Sequence, residues 1–201
     1  MAMYQMRDIS RPRFAFKENE RKNKLHSLIC GVTESGKTTL AHALAHMLAV
    51  SNQNIIVFDP VGTKTASGSW PRSAVIFDDE GEFFAYLARD DVFHAHVFVD
   101  EAGEVFNLSK RENFWLLTRG RHFGFNVYPI CQRPKMIAPT IRNQCSRAYV
   151  FRLAQEDMEE IGRDFGFSEL KKISLDKGDF LMLLSGTARM SRANVFDLIK
   201  S

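Results

Sequence analysis

What this chain holds little of narrows the field before any motif is read. Cysteine occurs three times, at Cys30, Cys131 and Cys145, an odd count without metal-ligand spacing. That excludes a disulfide framework and a cysteine-ligated zinc site. It leaves buried, reduced thiols in a cytosolic setting as the expectation. No apolar run approaches the roughly 20 residues that cross a bilayer. None follows Arg7 and Asp8 either, so neither a spanning helix nor a signal peptide is expected. Internal repeats and low-complexity tracts are absent. Net charge is only +3, too small to name a partner by itself.

The distribution of that charge says more. Residues 1–24 hold seven Lys/Arg against three Asp/Glu, residues 78–104 nine acids against one arginine, and residues 110–152 nine Lys/Arg against one glutamate. The basic middle segment flanks strands expected to carry chemistry, which favours contact with phosphates, of nucleotide or of nucleic acid. At 201 residues and 45% hydrophobic content, one domain with an ample core is expected. Residues 1–24 read as a basic arm, and 25–201 as one α/β domain. Strands are expected at 26–30, 54–59, 73–77, 94–99, 126–131 and 148–153. Helices are expected at 37–50, 80–89, 110–119, 140–145 and 155–165. A terminal β-hairpin is expected from 180–184 and 188–196. Short apolar strands interleaved with helices imply a largely parallel sheet covered on both faces.

Gly31, Val32, Thr33, Glu34, Ser35, Gly36, Lys37 and Thr38 match G-x-x-x-x-G-K-[ST], and they stand between a strand and a helix as a phosphate-binding loop must. The glycines let backbone N–H groups converge on phosphate oxygens, and the helix N-terminus, Thr39 included, adds its partial positive charge. Lys37 is then expected on the β- and γ-phosphates of ATP, and the Thr38 hydroxyl on Mg²⁺. Val97-Phe98-Val99-Asp100-Glu101 is an apolar strand ending in two acids, at the strand end where ligands gather. Asp100 is expected to hold the Mg²⁺ hydration shell, and Glu101 to polarise the attacking water. Such a base favours a hydrolase over a small-molecule kinase, whose acceptor is its substrate. Gln132 ends the next strand, where it can sense the γ-phosphate or orient water. Arg119 and Arg121 surround Gly120 on a turn before that strand, able to reach an adjacent subunit's nucleotide. A solvated turn, or an ion pair with Glu101 or Glu104, is the alternative.

The series 31–38, 97–101, Thr118-Arg119-Gly120-Arg121-His122 and Cys131-Gln132-Arg133-Pro134 resembles the FtsK–HerA superfamily, from about Leu25 to Leu153. Its most specific part is the Gly-Arg followed eleven residues later by a strand-end Gln. The resemblance implies a RecA-like P-loop NTPase fold, an ATPase that moves double-stranded DNA through non-specific backbone contacts, and a homo-oligomeric ring, expected to be a hexamer. It further implies that Arg121 acts in trans and that Gln132 reads the γ-phosphate. Size and the Thr-Arg-Gly-Arg-His and Gln-Arg-Pro runs look like the genome-packaging ATPases of icosahedral viruses with an internal membrane. These imply a place in the host cytoplasm or at the packaging vertex, with capsid or portal partners. Rival readings are a filamentous-phage DNA-export ATPase, a small-molecule phosphotransferase and a nucleotide-binding subunit that does not hydrolyse.

Other features are weaker. His42 and His46 are expected on a solvated face opposite Leu40, Leu44, Met47 and Leu48. Asp59 is open between a loop cap and a role near Mg²⁺ or DNA. Phe123 and Phe125 are candidate interface residues, and Lys64 and Lys135 candidate pore-loop cations.

Overall fold

The computed structural model describes residues 26–62, 68–187 and 189–199; the arm at 1–24 and Lys64 lie outside the described residues. Strand β1 (His26–Cys30) is buried at all five positions and forms the centre of the sheet. It is joined by β2 (Asn54–Phe58), β3 (Val75–Phe77), β4 (Ala95–Val99), β5 (Asn126–Cys131) and β6 (Cys145–Val150). The antiparallel pair β7 (Asp179–Leu184) and β8 (Met190–Asn194) completes an eight-stranded sheet in the order β3-β2-β4-β5-β1-β6-β7-β8. The first six strands in that order pair in parallel, with Ile29 opposite Ile130 and Leu28 opposite Ala148. β7 and β8 run antiparallel. Alternate residues feed two cores: Leu28, Cys30, Val97 and Val99 pack on one face, and Ile29, Val57, Phe98 and Ile130 on the other. That two-sided burial explains why the parallel strands read as unbroken apolar runs. The expected α/β architecture, mostly parallel with a C-terminal hairpin, is the one observed.

Helices α1 (Lys37–Val50), α2 (Glu80–Leu87), α3 (Ala102–Val105), α4 (Trp115–Thr118), α5 (Pro139–Arg142), α6 (Gln155–Phe165) and α7 (Val195–Leu198) connect or cap the strands. Several expectations need correction. The helix expected at 110–119 is a 3₁₀ turn, Arg111–Phe114, followed by one α-turn. The buried Asn113 amide anchors it by donating to the Val105 carbonyl and to Glu80 Oε1, both at 3.0 Å. β6 starts at Cys145, because the half-exposed Ser146 and Arg147 disguise its first turn of pairing as loop. The last strand stops at Asn194, whose side chain accepts from Phe196 N at 3.0 Å and starts α7. The core face of α1 keeps Leu40 buried and Leu44 and Leu48 packed against the core as expected, but it extends further round the helix. Small side chains at Ala41 and Ala45 let the helix lie close on the sheet, and His42 is fully buried, edge-on to Trp70 at 4.4 Å. Met47 is left 67% exposed. Phe123 and Phe125 are both buried core residues, not interface residues.

Candidate functional site

The phosphate loop is held from three directions. Gly31 N donates to the Cys131 carbonyl at 3.3 Å and Val32 N to the Arg152 carbonyl at 2.9 Å, fixing the loop to the ends of β5 and β6. Gly178 N, just before β7, donates to the Ser35 carbonyl at 3.0 Å. Gly36 is the N-cap of α1 with φ of 112°, a left-handed conformation that favours glycine. No side chain caps that helix, so its first-turn N–H groups, which lack intrahelical partners, remain for an anion. Lys37 Nζ donates to the Val32 carbonyl at 3.3 Å. Gly31, Val32 and Ser35 shape the turn. Thr33, Glu34, Gly36, Lys37, Thr38 and Thr39 line a cavity of about 400 Å³ together with Asp100, Glu101 and Gln132.

Those last three arrive there because β4 and β5 end beside the loop. Asp100 is buried at the tip of β4, its backbone N bonded to the Phe58 carbonyl at 2.9 Å. Its carboxyl is raised to about 6, first by burial and then by the negative charges of Asp59 and Glu101, although its hydrogen bond from Glu101 N pulls the other way. Glu101 has φ of 47° and ψ of 39°, a left-handed conformation costing a non-glycine residue about 1–3 kcal/mol. Gln132 is tied to the loop by a 3.3 Å hydrogen bond from Thr33 Oγ1 to its Oε1. The segment behind it is pinned to α6. Arg133 Nε donates to Asp157 Oδ2 at 2.9 Å, and the buried Arg142 pairs with Glu160 and Asp164 while donating to the Pro134 and Ile137 carbonyls.

The donor set suits magnesium. Thr38 supplies a hydroxyl and Asp100 a carboxylate, hard oxygens beside the helix N-terminus, and a cation there offsets the clustered negative charge that raises Asp100. Among the described residues no group of three His, Cys, Asp or Glu forms a protein-only metal cage.

Arg121 is not among these residues. It is exposed in the 3₁₀ turn Gly120–Phe123, which precedes β5, whereas Gln132 follows it. Its charge falls near His26 at the start of β1, where it adds to burial in lowering that imidazole to about 4. Six residues of β5 span roughly 20 Å, so Arg121 lies toward the opposite end of the strands from its own phosphate loop. The alternative ion pair with Glu101 or Glu104 is therefore not formed. Asp59 takes the loop-cap role: Oδ1 accepts from Gly62 N and Oδ2 from Trp70 Nε1, both at 2.8 Å. Lys135 pairs with Glu156 at 3.1 Å.

Two lining residues escaped the sequence reading, Lys177 and Phe196. They bracket the terminal hairpin, and only the register of that hairpin, Asp179 opposite Asn194, carries both to the loop.

No protein-family model matches the chain, and no curated protein matches it in sequence. Its fold is shared by several solved structures, two of them determined with ATP analogues. It is similar to the genome-packaging NTPase B204 of Sulfolobus turreted icosahedral virus 2, solved with AMPPCP, at TM-score 0.65 and 16% identity, covering 84% of this chain and 96% of that one. It is similar to the pCW3 conjugation coupling protein TcpA, solved with ATPγS, at TM-score 0.65 and 17% identity, covering 88% and 64%. VirB4 of Thermoanaerobacter pseudethanolicus matches at TM-score 0.65 and 9% identity, covering 93% and 92%.

Proposed function

We propose that this chain is an ATP-hydrolysing double-stranded DNA translocase that works as a ring, in the manner of a viral genome-packaging motor. The observation that carries the reading is the convergence of Lys37, Thr38, Asp100, Glu101 and Gln132 on one cavity at the C-terminal ends of the strands, with Arg121 before the start of β5. Within the cavity Lys37 and the first-turn N–H groups of α1 bind the phosphate chain. Glu101 accepts a proton from water as its oxygen attacks the γ-phosphorus, and the bond to the β-phosphate oxygen breaks to release ADP and phosphate. Gln132, bridged to Thr33, orients that water or registers the γ-phosphate. Mg²⁺, when held through Thr38 and Asp100, supplies charge neutralisation on the phosphates. A site with a base for water suits hydrolysis better than phosphotransfer, whose acceptor is the substrate itself.

An arginine at the far end of a strand roughly 20 Å long is placed for a neighbour's nucleotide and not for its own, which supports a ring over a monomer. The packaging and conjugation-coupling proteins share this fold, supporting DNA as the substrate moved. Basic loops would grip the phosphate backbone without reading bases. The test is phosphate release with and without duplex DNA. Stimulation by DNA of any sequence is expected. If about 4–6 phosphates are neutralised, log affinity should fall against log salt with a slope of roughly −4 to −5. A slope near −1, or strong sequence preference, would count against a non-specific translocase. DNA-independent transfer of the γ-phosphate to a small acceptor would replace it with a kinase.

A further inference from the structure

We propose that Phe196 is the base-stacking wall of the nucleotide pocket. The inference rests on reading the cavity as a nucleotide site and adds the group that grips the base. In the sheet order, β4 and β5 lie on one side of β1, and β6, β7 and β8 on the other. Asp100, Glu101 and Gln132 come from the β4–β5 side, so the reacting end of a nucleotide must lie there. The phosphate chain then crosses the loop after β1, and the base leaves over the β7–β8 side. The wall of the cavity on that side is Lys177, just before β7, and Phe196, just after β8.

Composition points the same way. Every other residue lining this cavity is polar, charged or glycine, and Phe196 alone is apolar. Phosphates, a hard cation and water have no use for an aromatic surface, whereas a purine gains from stacking on one. The ring is also held in place. A Cβ built on Gly178 would fall 2.5 and 2.6 Å from its Cδ2 and Cε2, so the ring lies tight against a bare backbone. Its own backbone N is fixed by Asn194 Oδ1, and Asn194 Nδ2 donates to Asp179 Oδ1 at 2.8 Å. Stacking on such a wall is indifferent to base identity, so ATP and GTP should bind alike.

The test compares ATP, GTP and inorganic tripolyphosphate on the full chain and on two variants. Phe196→Leu keeps apolar bulk and removes the π-face. It should weaken ATP and GTP by about 5- to 100-fold and leave tripolyphosphate unchanged. Phe196→Trp should restore nucleotide affinity. Its indole emission, measured against the background of Trp70 and Trp115, should respond to ATP and not to tripolyphosphate. This second readout stands even if the leucine variant folds poorly. Equal losses for ATP and tripolyphosphate would reduce Phe196 to a prop for the phosphate loop and overturn the proposal. So would unaltered ATP affinity in Phe196→Leu, or indole emission indifferent to ATP. A wild-type protein that binds neither ATP nor tripolyphosphate would overturn the nucleotide reading itself.

Discussion

Lys37 and Glu101 share one cavity but carry opposite charges, and removing each should fail in a different way. Lys37→Ala takes a cation from the phosphates. It should abolish hydrolysis and weaken ATP binding by roughly 10- to 100-fold, the scale of a charge-assisted hydrogen bond. Glu101→Gln leaves the phosphate contacts and removes the base, so hydrolysis should vanish while ATP stays bound. Titration with a fluorescent ATP analogue separates the two, and equal loss of binding in both variants would unseat Glu101 as base. Asp100 offers a pH-dependent check without nucleotide or metal. Its carboxyl titrates near 6 in the folded protein and near 4 in an unfolded chain, so the folded state holds the extra proton between those values. Stability present below pH 4 is then lost as the pH rises through 6, by an amount on the order of 2–3 kcal/mol. Asp100→Asn should therefore melt several degrees above wild type at pH 8 and level with it below pH 4. A variant that melts lower at pH 8 would mean that this carboxylate is not held at an electrostatic cost.

At the scale of elements, the site depends on a turn that has no chemistry of its own. Gly178 has φ of 86°, and a Cβ there would strike the Phe196 ring. Gly178→Ala should thus destabilise the fold by about 2 kcal/mol or more and loosen the Ser35–Gly178 hydrogen bond that steadies the phosphate loop. Denaturant unfolding should register the first effect. Weaker ATP binding at temperatures where the variant remains folded should register the second, and unchanged affinity would show that the turn does not support the loop. The same turn marks where sequence reading stops. The phosphate loop is legible because its spacing is local, and the acids because they end an apolar strand. Phe196 and Lys177 are illegible because antiparallel register, a long-range property, brings them to the loop. The face of α1 misleads for a related reason. Met47 looks like core by periodicity but is exposed, while close approach to the sheet selects Ala41 and Ala45, and Trp70 from a distant loop covers His42.

Across the whole molecule, the proposed ring would need both ends of the strands, the loop of one subunit and the arginine of the next. Arg121→Ala should cost on the order of 10³-fold in turnover while sparing ATP affinity, and an exposed turn residue should contribute little to stability. Mixing Arg121→Ala with Lys37→Ala subunits, each inactive alone, should restore part of the activity, because some junctions pair an intact loop with an intact arginine. No recovery at any ratio, with turnover linear in protein down to monomer concentrations, would defeat the trans arrangement. The hydrogen bond from Gly178 to Ser35 also bears on how the protein comes into being. Strand, loop and helix are made well before Gly178, whose bond completes the loop, and Val195 N in turn bonds the Gly178 carbonyl at 2.8 Å. Contacts so distant in sequence close late in folding. A nascent chain therefore displays the whole phosphate-binding motif before the backing that steadies it has been made. The phosphate loop is made before the turn that supports it and is finished only when that turn docks.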